Sequence, residues 1–478
     1  MHITGYGMYL PAWRLDRATI AEAHGAPAGA GRRAVAAFDE DSTSMGVEAC
    51  RLALRTAVEA PCELWFATTS PAYADKTNAT AIHAALRLPP EAAAYDVVGS
   101  LRSGLGALRA ASATAAAGRS ALAVLSDVRT GLPGSGDERG GGDAAAAFLF
   151  DPGAPALVIE LAWTTMTREF LDRWRVPGEP ASKVWEERFG ETAYLPLAQQ
   201  AVSDALARAG LLAEDIDHFA VAGLHERACS RVAGLVKVDR SAVRDDLRLR
   251  IGAPGAAQPG VLLASVLDVA QPGEVICLVT LADGADCLLL RATDALPAAR
   301  SALPVAAQLE AGRALSYHRF LTWRGLLRTE PPRRPELDRP AAPPSLRNVS
   351  WKFGFVASRC TGCGTRHLPP ERVCMTCRGI DTMEPDPLAD VQGRITTYAV
   401  DRLAFSVAPP VITAVVDFDG GGRYCCELTD VDPTEVSVGQ RVEMSFRKLH
   451  SVDGVHDYFW KARPVRAPSS ESVQPREM

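Results

Sequence analysis

Apolar positions in the first 300 residues switch between two periods. "STSMGVEACRLALRTAVEAPCELWFATTS" (42–70) starts with apolar residues at helical spacing, crosses a short polar loop and ends in an aromatic, apolar run, which predicts helix, loop and strand. "LAQQAVSDALARAGLLAEDIDHFAVAG" (197–223) repeats that order. Each copy is followed by a Gly-turn, a small-residue helix and another strand: "GSLRSGLGALRAASATAAAGRSALAVLSD" in the first half, "GAPGAAQPGVLLASVLDVAQPGEVICLVTLADG" in the second. Both of these helices are too rich in Ala, Gly and Leu to lie on the surface, so burial between layers is expected. Strands alternating with helices predict parallel sheets covered on both faces. The duplication predicts a five-layer α/β fold with halves at 1–155 and 156–328 and two helix N-termini facing one internal cleft. The turn in "YDVVGSLRSGLGALRAA" (95–111) is the kind that mounts a nucleophile at a helix start, and its tip is Ser100-Leu101-Arg102.

Near residue 330 the pattern breaks. "EPPRRPELDRPAAPP" holds six prolines and predicts an extended linker, 329–349. Beyond it "CTGCGTRHLPPERVCMTC" spaces Cys360, Cys363, Cys374 and Cys377 as two Cys-x2-Cys knuckles, a tetrahedral zinc pattern. Four thiolates leave no coordination position open, so a structural ion is expected in a ribbon over 350–388, with His367 a surface residue and not a ligand. "GRITTYAV", "VITAVVDFD", "GRYCCELT" and "QRVEMSFRKL" are short β-type runs separated by Gly, Pro and Asp, as expected for an OB-type barrel over 389–466. The last residues, 467–478, read as a disordered tail.

Charge removes one alternative for this module. Between Ser350 and Arg463 there are 13 Lys and Arg against 15 Asp and Glu, no footprint for a phosphate backbone, and the whole chain carries a net charge of -6. With no apolar run long enough for a membrane span and no leader-like N-terminus, a cytoplasmic protein is expected that binds neither nucleic acid nor membrane. The remaining seven of the 11 cysteines (Cys50, Cys62, Cys229, Cys277, Cys287, Cys425, Cys426) read as buried thiols.

"GYGMYLPAWRL", "DEDSTSMGVEACRLAL", "GGDAAAAFLF" and "GAAQPGVLLASVLDVAQPGE" occur in the order that resembles the thiolase superfamily, nearest its 3-hydroxy-3-methylglutaryl-CoA synthase and ketoacyl synthase III branch. Residues 350–466 resemble the acyl-CoA-associated rubredoxin-like zinc-ribbon/OB-fold family, whose members accompany thiolase-like enzymes as separate subunits. The resemblance implies handling of acyl-CoA thioesters, a homodimer, and a possible thiolase-like partner subunit. It also places the synthases' catalytic positions. Laid on "GSLRSG", with Arg102 and Gly104 as anchors, the nucleophilic cysteine falls on Leu101. The acid falls on Thr69, with Tyr73 and Lys76 as anchors, and the thioester-binding Asn on Ala253. The His position falls on His225, though spacing to the following "GLV" equally puts Gly223 there.

Leucine cannot attack a thioester and threonine cannot replace a carboxylate base, so an acyl-cysteine condensation is not expected. Ser100 offers a hydroxyl beside the vacant position or else caps the helix; His225 offers a proton carrier or else a helix start. Tyr317 offers an acid or else packs, Arg102 offers a cation for CoA, and Asp143 is expected to serve structure. Two functions follow: carbon–carbon bond formation or aldol-type cleavage beside a CoA thioester without an acyl-cysteine, or a catalytically inactive acyl-CoA-binding scaffold for an active partner.

Overall fold

A computed structural model describes residues 2–328, 330 and 337–466; the tail expected at 467–478 and residues 331–336 of the Pro-rich stretch lie outside the described residues. The chain forms two compact units, one of Met1–Ala36, Asp41–Thr80 and Leu88–Phe320, the other of Ala37–Glu40, Ala81–Arg87 and Leu321–Met478.

The main sheet of the first unit is built from β1 (His2–Tyr9), β2 (Glu63–Thr68), β3 (Ala93–Val98), β4 (Ala121–Val128), β5 (Asp143–Phe150), β6 (Val158–Thr167), β7 (His218–Gly223), β8 (Val275–Leu281) and β9 (Gly284–Ala292). They form one sheet in the order β7-β8-β9-β6-β1-β5-β4-β2-β3. The repeat is visible in it: β2 and β4 are parallel, and β5 and β1 follow antiparallel, just as β7 and β8 are parallel and β9 and β6 follow antiparallel. The place of β3 beside β2 is taken in the second half by a single parallel bridge, Phe219 to Val243. Within the sheet the halves are joined where His2 and Ile3 pair with Ile159 and Val158.

The expected all-parallel sheets are therefore mixed. Each half closes with a β-strand that returns antiparallel; in the second half β8 and β9 are separated by two residues, too few for a helical crossover. Helices α1 (Ser42–Ala53), α2 (Arg102–Ala116), α3 (Glu187–Ala209), α4 (Glu226–Val236) and α5 (Gln258–Leu267) complete the layers. The small-residue helices α2 and α5 share the central apolar cluster with strand residues of both halves, as their composition predicts. Helix α3 covers the outer face of the second half in a separate cluster.

In the second unit, Val356–Cys360, Arg366–His367 and Met383–Pro387 make the small ribbon sheet. His367 is buried, not on the surface, because its short strand pairs across Ser358. The barrel has five strands in spatial order Arg423–Glu427, Val411–Phe418, Gly393–Asp401, Arg441–Val452, Val455–Pro464. A parallel bridge from Leu428 to Ala462 links its first and last strands. Four of these strands follow the β-type runs; the fifth, "VHDYFWKARP", is too polar at alternate positions to stand out by composition. The Pro-rich stretch is not extended throughout: a helix starts at Ala342, with Pro343 and Pro344 in its first turn, where a missing N–H costs nothing. Of the seven scattered cysteines, Cys425 is exposed and Cys62 half-buried, the other five buried. Cys425 alternates with buried Cys426 on one strand and so faces the opposite side.

Candidate functional site and zinc ribbon

The turn after β3 has the expected form. Gly99 has φ +135°, a conformation side-chain-bearing residues rarely adopt, and α2 follows at Arg102. Leu101 occupies the cap position in helical geometry, 3% exposed and without a side-chain cap. Ser100 does not cap the helix; its N–H donates to Ser103 Oγ at 3.3 Å. A Cβ on Gly104 would stand 2.3 Å from the carbonyl oxygen of Ala256, so the starts of α2 and of the Gly255–Ala257 turn before α5 are in direct backbone contact. The two helix N-termini converge, as the duplicated Gly-turns predict.

At that meeting point lies a residue that sequence reasoning missed. Asp127, fully buried at the end of β4, accepts from Thr68 Oγ1 (3.3 Å) and Thr69 N (3.1 Å) on Oδ1, and from Thr69 Oγ1 (2.7 Å) and Ala256 N (2.9 Å) on Oδ2. Thr69, where the synthases' acid is expected, also accepts from Arg129 Nη1 at 3.3 Å, and its carbonyl accepts from Arg175. Arg129 and Arg173 both reach Asp137. The signal for Asp127 in the sequence is an acid near the end of the mostly apolar run "ALAVLSDV". Asp143, fully buried, accepts from the N–H groups of Ala36 and Arg129, a structural role.

Ala253 is 3% exposed and makes a backbone bridge with Gly141; it has no polar side chain for a thioester. His225 is the N-cap of α4: its Nδ1 accepts from Ala228 N–H at 3.1 Å, which leaves the neutral ring's proton on Nε2. Gly190 gives the ring room, since a Cβ there would stand 2.7 Å from Nε2 and 2.4 Å from Asp172 Oδ1. Cys229, one turn into α4, is no substitute nucleophile: burial pushes its thiol up to about 11 despite Arg248 beside it.

The other expected residues are occupied by the protein. Arg102 spends its guanidinium on Asp286 (3.0 Å), the Asp283 carbonyl (3.1 Å) and Thr167 Oγ1 (2.9 Å). Tyr317 donates to Glu138 Oε1 at 2.7 Å beside His24 Nε2 at 2.9 Å, and burial together with Glu138 pushes its hydroxyl pKa well up. Among the described residues, no contact joins Tyr317 to Ser100 or His225.

Cys360, Cys363, Cys374 and Cys377 place their sulfurs within 4.8 Å of one another. The closest pairs, 3.6 and 3.5 Å, are far from a disulfide and close to the spacing of about 3.8 Å that a tetrahedral ion with 2.3 Å bonds to sulfur requires. A hydrogen bond with Thr382 helps bring the Cys360 thiol down to about 6, toward the thiolate that zinc needs. No helix among the described residues is long and apolar enough to cross a membrane.

Comparison with known proteins agrees with both units. Family profiles match the rubredoxin-like zinc ribbon domain of ChsH2 over residues 354–384 and its C-terminal OB-fold domain over 387–447. A DUF35 domain-containing scaffold protein of Methanocaldococcus jannaschii is 29% identical over 126 residues, 25% of this chain and 89% of its own length. A crystal structure of an HMG-CoA synthase complexed with CoA shares the fold, with a TM-score of 0.58 at 18% identity over 67% of this chain and 89% of that one. Hydroxymethylglutaryl-CoA synthase of Aeropyrum pernix is 32% identical over 323 residues, 64% of this chain and 88% of that relative. By that identity over nearly the full length of the relative, the chain belongs to the hydroxymethylglutaryl-CoA synthase family.

Proposed function

We propose that the thiolase-like unit binds a CoA thioester and makes or breaks a carbon–carbon bond beside it by aldol chemistry, without an acyl-enzyme. What carries this reading is Leu101: the helix start that would hold the nucleophile is formed, and its side chain is a buried hydrocarbon. In the cleavage direction the 3-hydroxyl loses its proton, the C2–C3 bond breaks, and its electrons pass into the thioester as an enolate, which is then protonated at C2. His225, with its proton on Nε2, is suited to donate to the thioester oxygen as negative charge builds there. The zinc is structural in this reading, the halves divide near residue 155, and the protein works as a homodimer.

One observation favours the second function, an inactive acyl-CoA-binding scaffold for an active thiolase or synthase partner. Thr69 holds no carboxylate, and both oxygens of Asp127 are occupied by four donors, which leaves neither as a ready base for the hydroxyl proton.

The test is incubation of the zinc-loaded protein with acetyl-CoA, acetoacetyl-CoA and several 3-hydroxyacyl-CoAs, following acyl products, free CoA and protein mass. Cleavage or condensation with unchanged protein mass, lost in His225→Ala, supports the aldol reading, and Tyr317→Phe then tests whether that hydroxyl takes part. A covalent adduct overturns it and points to Ser100. No turnover, with thermal protection by the thioesters, transfers the case to the scaffold.

A further inference from the structure

The second unit contains a charge cluster that neither function uses. Four residues from the N-terminal region, Ala37–Glu40, belong to this unit and reach into its barrel. Asp39, fully buried, lies 3.2 Å from Arg447 Nη1 and 3.0 Å from Lys461 Nζ, and accepts from Thr429 Oγ1 at 3.0 Å. Glu40 Oε1 is 3.0 Å from the same Arg447 nitrogen, and Lys461 lies 5.0 Å from the ring centroid of Phe38. The backbone takes part as well, Lys448 N–H donating to the Asp39 carbonyl at 2.9 Å.

Both barrel cations lie deep in the protein, Arg447 at 0% and Lys461 at 1% side-chain exposure. Each has one further acid from the barrel itself, Asp430 for Arg447 and Glu427 for Lys461, and Glu427 is 43% exposed. Burying a lysine against one half-exposed carboxylate is unfavourable, because one such partner does not offset the hydration the ammonium loses. Asp39 stands between the two cations and is bonded to both. An aromatic residue followed by two acids thus meets a ring-face contact, a lysine and an arginine in register.

We propose that Arg447 and Lys461 form a receptor in the OB barrel for an aromatic-acid-acid peptide, with this chain's own Phe38-Asp39-Glu40 as resident ligand. The relatives that resemble the two parts are separate proteins, and here the fusion fills the receptor from within. The barrel therefore serves its own chain, and an equivalent acidic loop on a partner subunit is excluded while the segment is in place.

The test uses the full chain with a specific protease site inserted in the stretch 331–336 and cut after folding. The two pieces are expected to co-elute on gel filtration. Asp39→Lys is expected to weaken their association at least 100-fold, and Asp39→Asn about tenfold. Arg87→Ala, which removes a contact to the Gly354 carbonyl made by the other N-terminal segment of this unit, is the control. A labelled synthetic peptide of residues 34–44 is then added to the uncut proteins, and it should bind Asp39→Lys at least tenfold more tightly than wild type. Separation unaffected by either Asp39 change, separation by Arg87→Ala alone, or equal peptide binding overturns the proposal. Should Asp39→Lys lose its zinc and fold, the Asp39→Asn association constant decides alone.

Discussion

Asp127 receives four donors on two oxygens, three from Thr68 and Thr69 at the end of β2 and one from Ala256 before α5. An amide in its place must turn an N–H toward a donor whichever way it is flipped. Asp127→Asn is therefore expected to lower stability by about 2–3 kcal/mol, the cost of unsatisfied buried groups, read as a shift in the urea midpoint without a change in slope. His225 separates capping from chemistry in the same manner. His225→Asn can still accept the Ala228 N–H, so it should keep wild-type stability, whereas His225→Ala loses about 1 kcal/mol. Both should lose any turnover, because neither places a donor where Nε2 stands. Equal stability of the two variants would show that the ring does not cap.

At the scale of elements, the two convergent helix starts depend on the absence of a side chain at Gly104. Gly104→Ala would press a methyl group to 2.3 Å from the Ala256 carbonyl, so α2 and the turn before α5 must separate. Loss of thioester-induced thermal protection with the far-UV signal retained is the expected result. The zinc ribbon has little core of its own, and its sheet strands are two to five residues long. Metal binding of this kind supplies on the order of 10–16 kcal/mol, so chelation should abolish protection of 356–387 in amide exchange while β1 to β9 keep theirs. A ribbon that stays protected without metal would refute that dependence.

For the molecule as a whole, the Asp39 cluster predicts a dependence on pH. Burial opposes the charged form of Asp39, but Lys461 and Arg447 outweigh it and hold the carboxyl below its usual range. A depressed folded pKa stabilises fully above the unfolded value of about 3.9, and that stabilisation is lost as pH falls through the folded pKa. The stability gap between wild type and Asp39→Asn should therefore be constant from pH 7 to about 5 and shrink below about 4. At neutral pH the gap should be about 1.4 kcal/mol, the free-energy equivalent of the tenfold weakening expected of the contact. A gap that widened on acidification would contradict the assigned charge state.

Local pattern alone determined a great deal of this protein. Period and composition mark the repeated helix and strand units, the buried helices α2 and α5, the Gly99 turn and the four-cysteine ribbon, because each depends on neighbours within a few turns of chain. Resemblance, not period, sets Leu101, Thr69 and Ala253 at the synthases' catalytic positions, and on these residues rests our proposal of chemistry without an acyl-cysteine. Tertiary structure alone decided the rest. The antiparallel closing strands, the burial of His367 and the outward face of Cys425 follow from pairing partners that no local period encodes. Asp127 gathers donors from residues 68, 69 and 256, and Asp39 meets Arg447 and Lys461 some 400 residues away. Charge and hydrogen bonding act through space, so a buried acid in a sequence gives its cost but not its partner.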